Sequence, residues 1–183
     1  FHGTMAAYGD AKAKLFSWPT LQAAVINLDD AFGCQLYSRL GEGVHRIGFS
    51  SRGQPDATLR ADALVLSPEG LRFTLSEGGQ SHDITAPLLG RFNIDNLLAV
   101  AGALRGLDWN LAQVAGALPM LSPVGGRMSR VGGTQGQPLL VVDYAHTPDA
   151  LEQALASLRE HTPGRLTCVF GCGGDRDRGK RPQ

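Results

Sequence analysis

An α/β fold is predicted for this chain by three observations. Short apolar runs that end in polar residues alternate with stretches of helical periodicity, as at 23–27 and 139–142. Glycine is abundant, 24 of 183 residues, against a usual share of about 7%, so many tight turns should join short elements. A strand, helix, strand succession near the C-terminus reads as a βαβ unit, which demands a parallel sheet.

The elements follow in order. Residues 5–16 carry Ala, Lys and Leu, good helix formers, and Pro19 stops them. The run 23–27 reads as a buried strand with Asn27, Asp29 and Asp30 at its polar C-terminal edge, 31–40 as a helix and 44–49 as a second strand. From 57 to 87 the texture becomes alternating: Leu71, Phe73 and Leu75 share one face, Arg72, Thr74 and Ser76 the other, and Glu77-Gly78-Gly79-Gln80 supplies a turn. That is an antiparallel hairpin insertion. Asn93 is positioned to cap a helix over 94–107, whose Leu97, Val100, Ala101 and Leu104 fall on one face, and 111–118 is a shorter helix. Ser122-Pro123-Val124-Gly125-Gly126 discourages helix and strand alike and reads as a linker. Beyond it, 139–142 is a strand ending at Asp143. Thr147 and Pro148 open a helix with Leu151, Leu155 and Leu158 inward, and 165–170 is the next strand.

Composition excludes whole classes of function. Lys and Arg total 17, matched by 17 Asp and Glu, which removes the field that draws non-specific binders to nucleic acid or anionic lipid. Apolar residues at 43% exclude a disordered chain, and no apolar run approaches the roughly 18 to 20 residues of a membrane helix. Cys34, Cys168 and Cys172 are too few and too uneven for a disulfide framework, so a reducing cytoplasm is expected. The first residues resemble no signal peptide, and both ends read as cuts inside a longer chain.

In an open α/β sheet, ligands bind beyond the carboxyl ends of the strands. That directs attention to Asn27, Asp29 and Asp30, to Asp143 with Tyr144 and His146, and to 171–178. An Asp after a strand either accepts hydrogen bonds from ribose hydroxyls or simply forms a turn or helix cap, and spacing leaves both open for Asp143. The loop Gly171-Cys172-Gly173-Gly174-Asp175-Arg176 suits an anion, with Arg176, Arg178, Lys180 and Arg181 to neutralise it, but a solvated charged loop has the same composition. It is neither a P-loop nor a dinucleotide fingerprint. Cys168 and Cys172 lack metal-knuckle spacing. Lys12 and Lys14 by themselves read as solvent-facing charges, and the histidines other than His146 as ordinary surface or satisfied groups.

Six motifs taken together carry more. His2-Gly3-Thr4-Met5 with Tyr8 and Lys12, Asn27-Leu28-Asp29-Asp30, Gly90-Arg91-Phe92-Asn93-Ile94-Asp95-Asn96, Gly126-Arg127-Met128, Asp143-Tyr144-Ala145-His146-Thr147-Pro148, and Gly171 through Pro182 resemble, in order and spacing, the Mur ligase family. The likeness is greatest to the branch that adds the third amino acid to UDP-N-acetylmuramoyl-L-alanyl-D-glutamate. It implies the second half of a P-loop-type ATP-binding domain with the hairpin insertion over 1–124, then the start of a Rossmann-like C-terminal domain over 125–183. The family's phosphate loop and two metal ligands would lie upstream, and its amino-acid recognition motif downstream.

The resemblance also implies roles. Lys12 matches a lysine carried as a carbamate that binds Mg²⁺; Phe92 and Asn93 match residues facing adenine, with Asn96 beside them. Arg127 matches an arginine near the ATP phosphates, Asp143 the ribose-binding acid, and His146 belongs to the same loop. Asp175, Arg176 and Lys180 match a segment that closes over nucleotide and substrate. The implied function is ATP-dependent amide-bond formation through an acyl phosphate in peptidoglycan synthesis, with ATP and Mg²⁺, a UDP-N-acetylmuramoyl dipeptide and a diamino acid, in a monomer. No motif present selects the diamino acid. The alternatives are a nucleotide-binding module or non-catalytic fragment, and a folate-polyglutamylating ligase, against which the 171–182 match argues.

Overall fold

Residues 3–133 and 136–171 are described by the structure, a computed structural model. Their order is α1 (Met5–Ala13), β1 (Ala23–Asn27), α2 (Ala31–Ser38), β2 (His45–Ser50), β3 (Leu59–Ser67), β4 (Gly70–Glu77), β5 (Gln80–Ala86), α3 (Phe92–Gly106), α4 (Leu111–Ala117), β6 (Ser129–Gly132), β7 (Leu139–Val142) and α5 (Pro148–His161). Short 3-10 turns at Lys14–Ser17 and Leu118–Met120 finish α1 and α4.

β1 and β2 pair in parallel from Ala23↔His45 to Asn27↔Phe49, and β2 meets β3 in parallel at Phe49↔Leu59 and Ser50↔Arg60. β3, β4 and β5 then alternate antiparallel. The 57–87 segment is antiparallel as its pattern predicts. Its first strand also extends the parallel sheet, so the segment continues one five-stranded sheet. Gly78 and Gly79 join β4 to β5 with φ of 56° and 83°, values that favour glycine in a tight hairpin.

β1 is sandwiched. Ala24 and Ile26 pack with Leu36 and Leu40 from the α2 side, whereas Val25 faces the larger core that Ile47, Phe73 and Leu75 build with Leu97, Leu98 and Ala101 of α3. Burying each such large side chain contributes about 1.5–3 kcal/mol. Val100, expected inward, is exposed; the stripe that packs is Ile94, Leu97, Leu98 and Ala101. Asn93 is not the cap of α3 either. Gly90 has φ +92°, so the chain turns tightly and Asn93 N–H bonds Gly90 O and Ile94 N–H bonds Arg91 O without a side-chain cap.

The C-terminal segment also departs from expectation. β7 pairs antiparallel with β6, from Ser129↔Val142 to Gly132↔Leu139, and 165–170 forms no strand among the described residues. The run there has no layer to bury it: Val169 is 95% exposed. β6 escapes a periodicity reading because it is four residues long. α5 starts as predicted, with Thr147 Oγ1 accepting the Ala150 amide and Pro148 in the first turn. Its buried residues are Ala154 and His161; Leu158 is half-buried beside them, and Leu151 and Leu155 line an open groove with Leu166 and Phe170. Ala154 joins Leu89 and Met128 in a small cluster that fixes α5 against the β5–α3 loop. At the β3–β4 turn the Ser67 hydroxyl donates to Glu69 Oε2 at 2.7 Å and holds that carboxyl below its usual range, with the Glu69 backbone and the Arg130 charge adding to the effect.

Candidate nucleotide site

Three of the residues singled out from sequence, Phe92, Arg127 and Asp143, converge on one cavity of about 450 Å³, which Arg91, Met128 and Ala154 also line. They come from distant parts of the chain, so folding brings them together. Phe92 opens α3 and is half exposed. A Cβ on Gly90 would stand 2.5 Å from the Phe92 ring, so the motif needs glycine there both for its left-handed φ and for the ring lying over it.

Arg127 rides on a turn closed by its own N–H to Val124 O at 2.9 Å and by Gly126 N–H to Ser129 Oγ at 2.8 Å. The next residue, Met128, has φ 47°, a conformation that costs a side-chain-bearing residue about 1–2 kcal/mol. Two features hold it there: its side chain is buried, and its N–H donates to Asp143 Oδ2 at 3.0 Å. Asp143 Oδ1 accepts the Ala145 amide at 2.9 Å. The acid is therefore a turn former and the tether of the Arg127 turn. Two carboxylate oxygens offer about four acceptor sites, so capacity for a ligand remains.

Tyr144 sits between two functional candidates. The Arg127 guanidinium lies 5.1 Å from its ring centroid, and the His146 ring meets it edge-on at 5.1 Å. His146 Nδ1 is 3.1 Å from Tyr144 O. His146 does not line the cavity of Phe92 and Asp143; it lines the neighbouring groove of about 790 Å³ with Leu151, Leu155 and Phe170. Asn93 and Asn96 stand beside the cavity rather than in its wall. Asn93 Nδ2 donates to Leu89 O at 2.7 Å, and Asn93 Oδ1 accepts from Asn96 Nδ2 at 2.9 Å.

Lys12 is on α1, exposed, with its ammonium 5.0 Å from the Tyr8 ring centroid. It lines neither the cavity of Phe92, Arg127 and Asp143 nor the groove of His146. Asp175, Arg176 and Lys180, with the rest of 172–183, lie outside the described residues. The acids after β1 do structural work: Asp30 caps α2 by accepting Gly33 N–H, and Asp29 accepts from Ser50 Oγ and Ser51 N. Ser51 Oγ in turn donates to Asp95 at 2.6 Å, linking that strand end to α3. In the sequence Arg91 stands out only as part of a motif and His161 only as an ordinary histidine; their neighbours in space give them significance that spacing does not carry.

The Mur ligase middle domain model matches residues 1–104, and the model described as Mur ligase, glutamate ligase domain, matches 126–183. The chain belongs to the Mur ligase family. This Mur ligase chain is 61% identical over 183 residues to the UDP-N-acetylmuramoyl-L-alanyl-D-glutamate--2,6-diaminopimelate ligase of Xanthomonas campestris pv. campestris (strain 8004), covering 100% of the chain and 37% of that protein. It is 55% identical, with the same shares covered, to the protein of that name from Xylella fastidiosa (strain Temecula1). A solved structure of a ligase of the same name superposes with a TM-score of 0.81 at 40% identity, over 100% of this chain and 37% of that one. The Mur ligase chain thus spans about 37% of the length of the curated relatives it matches.

Proposed function

We propose that the intact protein is an ATP-dependent ligase that joins 2,6-diaminopimelate to the D-glutamyl carboxylate of UDP-N-acetylmuramoyl-L-alanyl-D-glutamate, in the cytoplasm and as a monomer. The observation that carries this is the 61% identity, over every residue of the chain, to relatives bearing that name. Residues 1–124 belong to the nucleotide domain and 125–183 to the domain that follows. The nucleotide lies in the Phe92–Arg127–Asp143 cavity. Phe92 stacks on adenine. Asn93, positioned by Leu89 O and Asn96, keeps one N–H and one acceptor site for the base edge. Asp143 accepts from ribose hydroxyls with the lone pairs its two backbone bonds leave over. Arg127, steadied over Tyr144, offers a planar N–H fork to phosphate oxygens. His146 belongs to this loop, and Asp175, Arg176 and Lys180 close over the substrates.

The chemistry transfers a phosphoryl group and then an acyl group. A D-glutamyl carboxylate oxygen attacks the γ-phosphorus as the bond to ADP breaks; the amine nitrogen then attacks the acyl carbon, phosphate leaves and the ammonium loses its proton. Alignment and neutralisation of charge supply most of the rate. Lys12 as an ammonium repels a dication. After its neutral amine adds CO₂ and loses a proton, it presents two anionic oxygens, a donor set that suits Mg²⁺, and its exposure makes it reachable. That is one ligand of a shell, since among the described residues no group of three His, Cys, Asp or Glu stands together to hold a metal. Bound Mg²⁺ supplies neutralisation of phosphate charge. Incubating the intact protein with ATP, the muramoyl dipeptide and diaminopimelate should give ADP, phosphate and tripeptide, and omitting either acceptor should abolish release; ATP turnover independent of both would contradict the proposal.

A further inference from the structure

His161, at the end of α5, is a polar side chain only 2% exposed. Both ring nitrogens are engaged. Nε2 is 2.8 Å from the Gly90 amide, which can only donate, and Nδ1 is 2.7 Å from the Ser67 carbonyl oxygen, which can only accept. The two partners fix the tautomer: Nδ1 carries the proton and the Nε2 lone pair faces Gly90. Gly90 is buried, and the loop it opens carries Arg91 and Phe92 into the cavity. Ser67 closes β3. One imidazole therefore ties α5 to the end of β3 and to the β5–α3 loop, across sequence separations of 94 and 71 residues. Arg130 of β6 reinforces the same junction by donating to Glu69 O at 2.5 Å.

We propose that His161 is a positioning residue of the nucleotide site: by accepting the Gly90 N–H it sets the direction in which Arg91 and Phe92 enter the cavity shared with Arg127 and Asp143. This rests on the nucleotide reading above. A neutral imidazole meets both demands because it donates at one end and accepts at the other; a Lys or Arg offers donors alone. Gln places an acceptor near where Nε2 stands and forfeits the Ser67 bond, whereas Asn keeps a donor near Nδ1 and leaves the buried Gly90 amide without a partner.

The test compares His161→Gln with His161→Asn in the intact protein, reading Gly90 amide hydrogen exchange and the Kd for a non-hydrolysable ATP analogue. An orphaned buried amide corresponds to a loss on the order of tenfold. His161→Asn should exchange Gly90 about tenfold faster and bind the analogue about tenfold more weakly, while His161→Gln stays within about threefold of the parent on both. Equal effects of the two variants on Gly90 exchange would overturn the proposal. So would an exchange difference unaccompanied by any difference in analogue affinity. If His161→Asn does not fold, the nitrogen-15 spectrum of the parent decides: an unprotonated Nε2 coupled to the Gly90 amide supports the proposal and a protonated Nε2 overturns it. Failure of the parent to bind the analogue would sink the nucleotide reading instead, and the exchange comparison would still judge what His161 does to Gly90.

Discussion

Replacing Asp143 with Ala removes at one stroke the acceptor of two backbone amides, Met128 N–H at 3.0 Å and Ala145 N–H at 2.9 Å. Each bond contributes about 0.5–1.5 kcal/mol net. Asp143 is exposed, which places the pair near the lower part of that range, so the substitution should cost about 1–2 kcal/mol of stability. The cost is concentrated locally. Met128 sits at φ 47°, and without its tether the turn can relax and carry Arg127 away from the Tyr144 ring. Nucleotide binding suffers a separate loss, because hydrogen bonds from ribose to a carboxylate are worth about 1.5–3 kcal/mol. Calorimetric titration of the intact protein with an ATP analogue should therefore give a Kd weaker by roughly 10- to 150-fold. Asp143→Asn is the informative companion, since its amide keeps one carbonyl acceptor but sets N–H against N–H at the other; it should fall between the parent and the Ala variant in both readings. If Asp143→Ala lowered stability as expected while analogue affinity stayed within about twofold, the acid would be a tether and nothing more, and the ribose assignment would be refuted.

Two further outcomes follow from other parts of the molecule. Lys12→Ala in the intact protein should lose most ligase activity, with acetate restoring part of it by occupying the anionic position a carbamate would fill; full activity of the variant would show that Lys12 is a solvated lysine. Glu69 titrates below its ordinary value of 4.5, first because the Ser67 hydroxyl donates to it. A depressed carboxyl contributes stability that is complete above its ordinary value and is lost as pH falls through the folded midpoint. Ser67→Ala should move the Glu69 midpoint up toward 4.5 in a carbon-13 NMR titration, and an unmoved midpoint would contradict the assigned cause.

What the sequence made legible was local. β1, α2, β4 and the cap of α5 follow from period, turn residues and Thr147-Pro148, because each is decided by neighbours in the chain. The parallel pairing of β2 with β3, the existence of β6 and the open course of 165–170 depend on which edges meet in space, which no short window encodes. Asn93 has the right type for a cap, yet Gly90 made the cap unnecessary and released Asn93 to bond Leu89 O and Asn96. The site divides in the same way. Phe92, Arg127 and Asp143 were legible as members of ordered motifs, and the fold gathers them. His161 carried no signal, since a lone histidine at a helix end looks like surface until Gly90 and Ser67 are found on either side of it.

Whether the cavity between α3, the Arg127 turn and Asp143 receives ATP is tested most directly by a crystal structure of the intact protein with a non-hydrolysable ATP analogue. Adenine should lie against the Phe92 ring with its edge toward Asn93, ribose hydroxyls within hydrogen-bond reach of Asp143, and phosphates on the Arg127 side. Density for the analogue in the groove beside Leu151 and Phe170, or anywhere that leaves Phe92 and Asp143 without contact, would contradict it.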